Sequence, residues 1–283
     1  EHPKALAAVA AALDPQHSAP VNVRAIAANR RLGTIASAKR ISGFLATPNL
    51  GRALRVEALY ALQSWPQAST LDPIDGRYFP IPAGDLDTLS AAIGPEIWSL
   101  ANDADDKVSR RAIAVLQSIK PNKAQRDQVA GFVLDEGQRS TVRKAWLRWL
   151  RKQDLALFTS VGVKALYSKS PELRVVAAQE LTEAKQGRSA VNSYLLATLK
   201  NSGDTVELQR AIKMVPRLPS KKSIIEQLVK ELIAGRIAPD IQLEVLETAT
   251  IATRDYTELK LQLEQYQNSI NKKGVMARYG VAL

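Results

Sequence analysis

Arg52-Ala53-Leu54-Arg55-Val56-Glu57-Ala58-Leu59-Tyr60-Ala61-Leu62-Gln63-Ser64-Trp65 is the stretch whose reading decides the fold. Leu54, Ala58, Leu59, Ala61 and Leu62 recur at three- and four-residue steps, so they line one face of an amphipathic helix that Pro66 ends. Within it, Leu54-Arg55, Ala58 and Leu62 spell Φ-R-x-x-A-x-x-x-L, where Φ is Val, Leu or Ile. Val23-Arg24 with Ala27, and Leu173-Arg174 with Ala177 and Leu181, fit the same template. Looser copies start at Val108 (Ala112, Leu116), Val142-Arg143 (Trp146, Leu150), Leu208-Gln209 (Ile212) and Ile241-Gln242 (Val245, Ala249). Apart from one 54-residue step between Leu54 and Val108, the anchors lie 31 to 35 residues apart. That period belongs to stacked helical hairpins. Φ and the last Leu fill a core, Ala admits the partner helix, and Arg sits at the edge of the face. There its stem packs while its guanidinium reaches a carboxylate or carbonyl. The turn acids Asp103, Asp105 and Asp106 are the expected partners, giving a ladder of ties between successive hairpins.

Reading outward, helices are expected over 3–14, 21–32, 36–46, 51–64, 85–100, 106–119, 122–135, 139–152, 154–168 and 171–184. Further helices are expected over 188–200, 204–215, 220–234, 238–251 and 255–268. Asp85, Asp105 or Asp106, Ser140, Asp154, Ser170, Asp204 and Ala238-Pro239-Asp240 mark starts. Gly137, Gly187, Gly203 and Gly235 mark turns in which a left-handed backbone suits glycine. Residues 65–84 interrupt the rhythm with four prolines, Pro66, Pro73, Pro80 and Pro82, and are too rich in turn residues for a helix. Ile74, Tyr78, Phe79 and Ile81 imply that this insertion packs on the surface of the stack. The expected architecture is a single all-α domain over 1–283, a right-handed α-α superhelix of about seven hairpins. It carries the insertion at 65–84 and a C-terminal connector at 269–283.

Composition narrows the chemistry. The 283 residues are 46% hydrophobic but only 5% aromatic, and no cysteine occurs. Disulfides, thiolate metal sites, cysteine nucleophiles and covalent haem attachment are therefore excluded within this segment. No apolar run approaches the roughly 18 residues that span a bilayer. Glu1 opens the chain without Met or a leader, as expected of an excised or processed piece. The net charge of +11 invites an anionic partner, but the basic residues are scattered along the sequence without forming a block.

The template resembles the HEAT repeat, where such a pattern marks the second helix of each hairpin. A narrower resemblance rests on three stretches: Arg55 to Trp65 followed by Asp72-Pro73-Ile74-Asp75-Gly76-Arg77-Tyr78-Phe79-Pro80-Ile81; Leu243 to Ala249 followed by Leu259 to Tyr266; and the short basic tail. Together they look like the HEAT section of large secreted proteins of planctomycete-type bacteria, between a propeller-like sugar-dehydrogenase-type domain and a c-type cytochrome domain. The resemblance implies an exported or periplasmic multidomain redox protein of which this is the middle. It assigns no haem ligand or dehydrogenase residue here.

No catalytic, metal or cofactor residues are read from the sequence. His2 and His17 lack a suitably spaced carboxylate cluster, no Gly-rich phosphate loop follows a strand, and Asp103, Asp105 and Asp106 lack the Gly and distal Glu of a calcium loop. Two stretches stand out as interaction surfaces. One is Arg77, Tyr78 and Phe79 in the insertion. The other is the helix at 139–152, where Val142, Ala145, Trp146, Trp149 and Leu150 oppose Arg143, Lys144, Arg148, Arg151 and Lys152. A second basic concentration is Arg210, Lys213, Arg217, Lys221 and Lys222. The expected function is a noncatalytic scaffold that binds flanking domains of its own chain or another protein. The alternative is a nucleic-acid-binding solenoid of the DNA-glycosylase kind, which requires the basic clusters to share one concave surface.

Overall fold

A computed structural model describes residues 3–71, 76–218, 221–252 and 256–272, with side chains described except at 3, 79, 95 and 269–272. Among these residues are sixteen α-helices and one two-stranded antiparallel sheet. They fall into two compact units, 1–155 and 156–283.

In the first unit, α1 (Pro3–Ala11) pairs with α2 (Ala19–Leu32), and α3 (Ile35–Leu45) pairs with α4 (Arg52–Gln63). After the strands β1 (Ser69–Leu71) and β2 (Tyr78–Ile81) come α5 (Leu86–Ala92), α6 (Pro95–Leu100) and α7 (Asp106–Leu116), with α6 packed on α7. The hairpin of α8 (Lys123–Leu134) and α9 (Ser140–Gln153) completes the stack. Each second helix packs on the next, α2 on α4, α4 on α7 and α7 on α9. These are the helices that carry the template, so the recurring apolar face forms the shared core. Ala58, Ala112 and Ala25 are fully buried where neighbouring helices approach.

The second unit repeats the arrangement. It contains α10 (Leu155–Ala165), α11 (Pro171–Glu183), α12 (Arg188–Asn201), α13 (Thr205–Met214), α14 (Lys221–Ile233), α15 (Pro239–Ala252) and α16 (Thr257–Lys272). Here α11 packs on α13 and α13 on α15, while α12, α14 and α16 pack against these second helices. A Cβ on Gly162 would lie 3.1 Å from Leu181 Cδ2, so glycine in α10 allows close approach to α11.

Several expectations shift. The helix expected over 85–100 starts as foreseen, with Asp85 accepting from Thr88 N at 2.8 Å, but divides into α5 and α6. Pro95 lacks an N–H and disfavours helical backbone at Gly94, which is extended. Arg139, rather than Ser140, occupies the cap position of α9. Asp105, Ser170 and Asp204 do cap α7, α11 and α13. Gly187 and Gly235 take the left-handed conformation, but Gly137 and Gly203 do not. Helix α16 reaches Lys272, beyond the start of the expected connector, whose remaining residues 273–283 lie outside the described ones.

Candidate interaction surfaces

The insertion is a short hairpin held at its base. Ser69 pairs with Ile81 and Leu71 with Tyr78, short strands in a stretch expected only to be non-helical. Ile81 and Trp65 are buried, as a packed insertion requires. Tyr78 is not packed: it is 74% exposed, and its cross-strand partner Leu71 is 53% exposed. Arg77 is exposed too. Ile74 and the side chain of Phe79 lie outside the described residues.

The base is gripped by Arg30, a residue outside the template's Arg position. From the last turn of α2, Arg30 donates from Nη2 to the carbonyls of Ser64 (2.9 Å) and Gln67 (2.6 Å), and from Nη1 to Pro82 (3.3 Å). Its guanidinium lies 5.5 Å from the centroid of the Trp65 ring. Burial pulls its pKa below the ordinary arginine value. Gly84 N closes the loop by donating to Trp65 O at 2.6 Å, and a Cβ on Gly84 would sit 2.5 Å from the Trp65 ring. The insertion therefore stands on a rigid footing that spacing alone does not reveal.

The basic helix divides differently from its sequence pattern. Val142, Trp146, Leu147, Trp149 and Leu150 are buried, and Trp146 stacks on Trp98 with ring centroids 6.0 Å apart. Arg143, expected on the polar face, is 2% exposed and faces inward. It forms a fork to Glu136 (2.8 and 3.0 Å) and donates Nε to Val133 O at 2.8 Å, tying the two helices of its own hairpin. That satisfied, buried geometry removes Arg143 from the candidate surface. Arg148 and Lys152 are exposed, while Lys144 and Arg151 are half-buried. Lys152 donates to Gln117 Oε1 at 3.0 Å.

The acidic turn 103–106 is gripped from both sides. Arg55 reaches Asp103 at 2.9 Å and Arg52 reaches Asp105 at 2.5 Å from the preceding hairpin. From the following one, Arg139 contacts Asp106 and the carbonyls of Asp103 and Ala104, and Thr141 donates to Asp106 at 2.9 Å. Burial would raise the Asp105 carboxyl, but the N–H groups of Val108 and Lys107 and the charge of Arg52 hold it below the ordinary range. The expected Arg–Asp tie is present here. It is not uniform along the chain, because Arg24 is exposed and Arg143 bonds within its own hairpin.

One cluster escaped the sequence reading. An open cleft of about 760 Å³ between the α10–α11 turn and α12 contains Arg174, Tyr194, Ser202 and Glu207. The Glu207 side chain is 1% exposed and accepts a two-pronged Arg174 contact (2.7 Å each), Tyr194 Oη (2.8 Å) and Ser202 Oγ (2.8 Å). Burial opposes its charge, but the bonds from Arg174, Ser202 and Tyr194 win and hold its pKa below the ordinary value of 4.5. Burial and the adjacent carboxylate push the Tyr194 phenol well up. With both carboxylate oxygens engaged twice, the cluster is a saturated tie between hairpins. A 33-residue offset from Arg174 is the available signal, but Glu207 sits inside a helix and not in a turn, where the Arg–Asp ladder is expected.

His17 lies with Nδ1 2.8 Å from Ala12 O, and His2 lies outside the described residues. Among the described residues no group of three or more His, Cys, Asp and Glu could hold a metal, and no helix is long and apolar enough to cross a membrane. Compared with models of protein families the chain matches none, and no curated protein matches it either.

Proposed function

We propose that the chain is a right-handed HEAT/armadillo-like solenoid acting as a noncatalytic scaffold, which positions neighbouring domains and offers a surface to a protein partner. The observation that carries this reading is the Leu71–Tyr78 pair: a cross-strand apolar and aromatic couple, both exposed, on a loop whose base Arg30 clamps. Burying a tyrosine and a leucine against a partner removes apolar area from water, and a pre-ordered loop loses little conformational entropy on binding. Stacked hairpins with buried ties supply the rigid support. In this reading a dehydrogenase-like and a cytochrome domain, the neighbours that the resemblance to exported redox proteins implies, are its first candidate partners.

A photo-crosslinking amino acid at position 78 tests this reading in the natural host. A discrete adduct to a flanking domain or to one protein, abolished by Leu71→Asp, is the expected outcome. Substrate turnover by the purified chain, or adducts indifferent to Leu71→Asp, would overturn it.

A further inference from the structure

The stacking converts a scattered charge into an ordered one. In the first unit, the consecutive second helices α4, α7 and α9 carry ten Lys and Arg against two carboxylates, Glu57 and Asp106. The corresponding helices of the second unit, α11, α13 and α15, carry three against seven. The row of α4, α7 and α9 thus carries a net +8 from its own residues, among which Arg52, Arg55 and Arg143 are held by Asp105, Asp103 and Glu136.

Contacts show that the outer faces of this row adjoin. Arg111 donates to Gln63 Oε1 at 2.5 Å and lies 5.0 Å from the Tyr60 ring, joining α7 to α4. Lys107, Arg110 and Arg111 line a groove of about 380 Å³ with Val56 and Gln63. Lys152 joins α9 to α7 through Gln117. Gln63 and Gln117 are neutral, so these bonds position positive charge without cancelling it. Asp103, Asp105 and Asp106 meet the row in the turn at one end, and Glu136 meets it at the buried Arg143. Around α13–α14, Lys213 lies 3.9 Å from Glu244, and Lys222 lies 3.7 Å from Glu226.

We propose that the outer face of α4, α7 and α9 binds the phosphate backbone of nucleic acid without reading its sequence. Packed helices stand roughly 8–10 Å apart, about one Debye length at physiological salt, so the charges of successive helices reinforce one another. Arg forks and Lys ammonium groups are the usual phosphate partners. The face also lacks what a protein partner needs. Protein interfaces centre on apolar and aromatic anchors, yet among the described residues neither α7 nor α9 exposes a large hydrophobic side chain, and α4 exposes only Tyr60. This proposal goes beyond the scaffold reading, which rests on the insertion loop, and either stands without the other.

Fluorescence anisotropy with a labelled 20-base-pair duplex, across a salt series, tests it on the full chain. Binding at 50 mM salt should weaken as a power of salt with a slope near −3 to −5, as release of counterions from a few phosphates requires. Arg110→Glu with Lys152→Glu reverses two exposed charges and should weaken binding at least tenfold. Arg210→Glu with Lys222→Glu changes net charge equally but lies in the second unit, and should change affinity less than twofold. Circular dichroism and melting of both variants check that the helices persist. No binding at 50 mM salt, equal weakening by the two charge reversals, or equally strong competition by polyglutamate would each overturn the proposal. The last result would instead mark a site for an acidic polypeptide.

Discussion

At the residue scale, Glu207 shows how a charge can be buried inside a helical stack. Desolvation opposes the carboxylate, and four donor contacts from Arg174, Tyr194 and Ser202 overcome it. Glu207→Gln replaces one acceptor oxygen by an amide donor that faces donors already in place. The expected loss is about 2–4 kcal/mol, the range for breaking a buried pair, read as a lower urea midpoint. A change under about 0.5 kcal/mol, the scatter of ordinary surface substitutions, would show the tie to be dispensable. The carboxyl's pKa in the folded chain lies below its ordinary value of 4.5. Its stabilisation is therefore complete above that value and fades as pH falls through the depressed one. The gap between the parent chain and Glu207→Gln should shrink over the same acidic window.

At the scale of elements, the insertion is a loop made stiff by one arginine. Arg30 bonds three carbonyls on both flanks of the hairpin, so its loss frees the whole segment rather than one contact. Charge-assisted hydrogen bonds contribute roughly 1.5–3 kcal/mol, so Arg30→Ala should raise the open population of the loop about tenfold or more. Limited trypsin digestion reads this directly, because Arg77 is an exposed cleavage site within the loop. Faster cutting after Arg77, with other sites unchanged, is the expected pattern, and an unaltered rate would mean that the hairpin holds itself. The sequence made the insertion visible through its prolines and the 54-residue step. It did not make the clamp visible, because Arg30 matches no template position and its acceptors are backbone carbonyls 34 to 52 residues away.

At the scale of the molecule, stability passes between neighbouring hairpins. A stack of this kind is held by local hairpin packing and nearest-neighbour interfaces. Glu207→Gln, which severs a tie between α11 and α13, should therefore raise amide exchange in α11 to α15 and leave α2 to α4 unchanged. Hydrogen-exchange mass spectrometry separates these peptides. Equal acceleration in both units would contradict the nearest-neighbour picture. The same stacking accounts for the charge pattern. Arg55, Arg111 and Lys152 are far apart in sequence, but a recurring helical hairpin returns each to the same row of helices.

Apart from the break at Gly94–Pro95, helix positions, hairpin order and the site of the insertion follow from the sequence by itself. Apolar spacing, caps and prolines act within a few residues, and a fixed repeat sends each helix against its predecessor. Whether an arginine lies outside or inside was left to the tertiary structure. Arg143 and Arg148 occupy the same amphipathic helix, yet one is buried against Glu136 and Val133 while the other is exposed. A long side chain can satisfy its charge in either place, so periodicity does not settle the choice. Partners brought close only by packing settle it, as they settle which charges accumulate on one face.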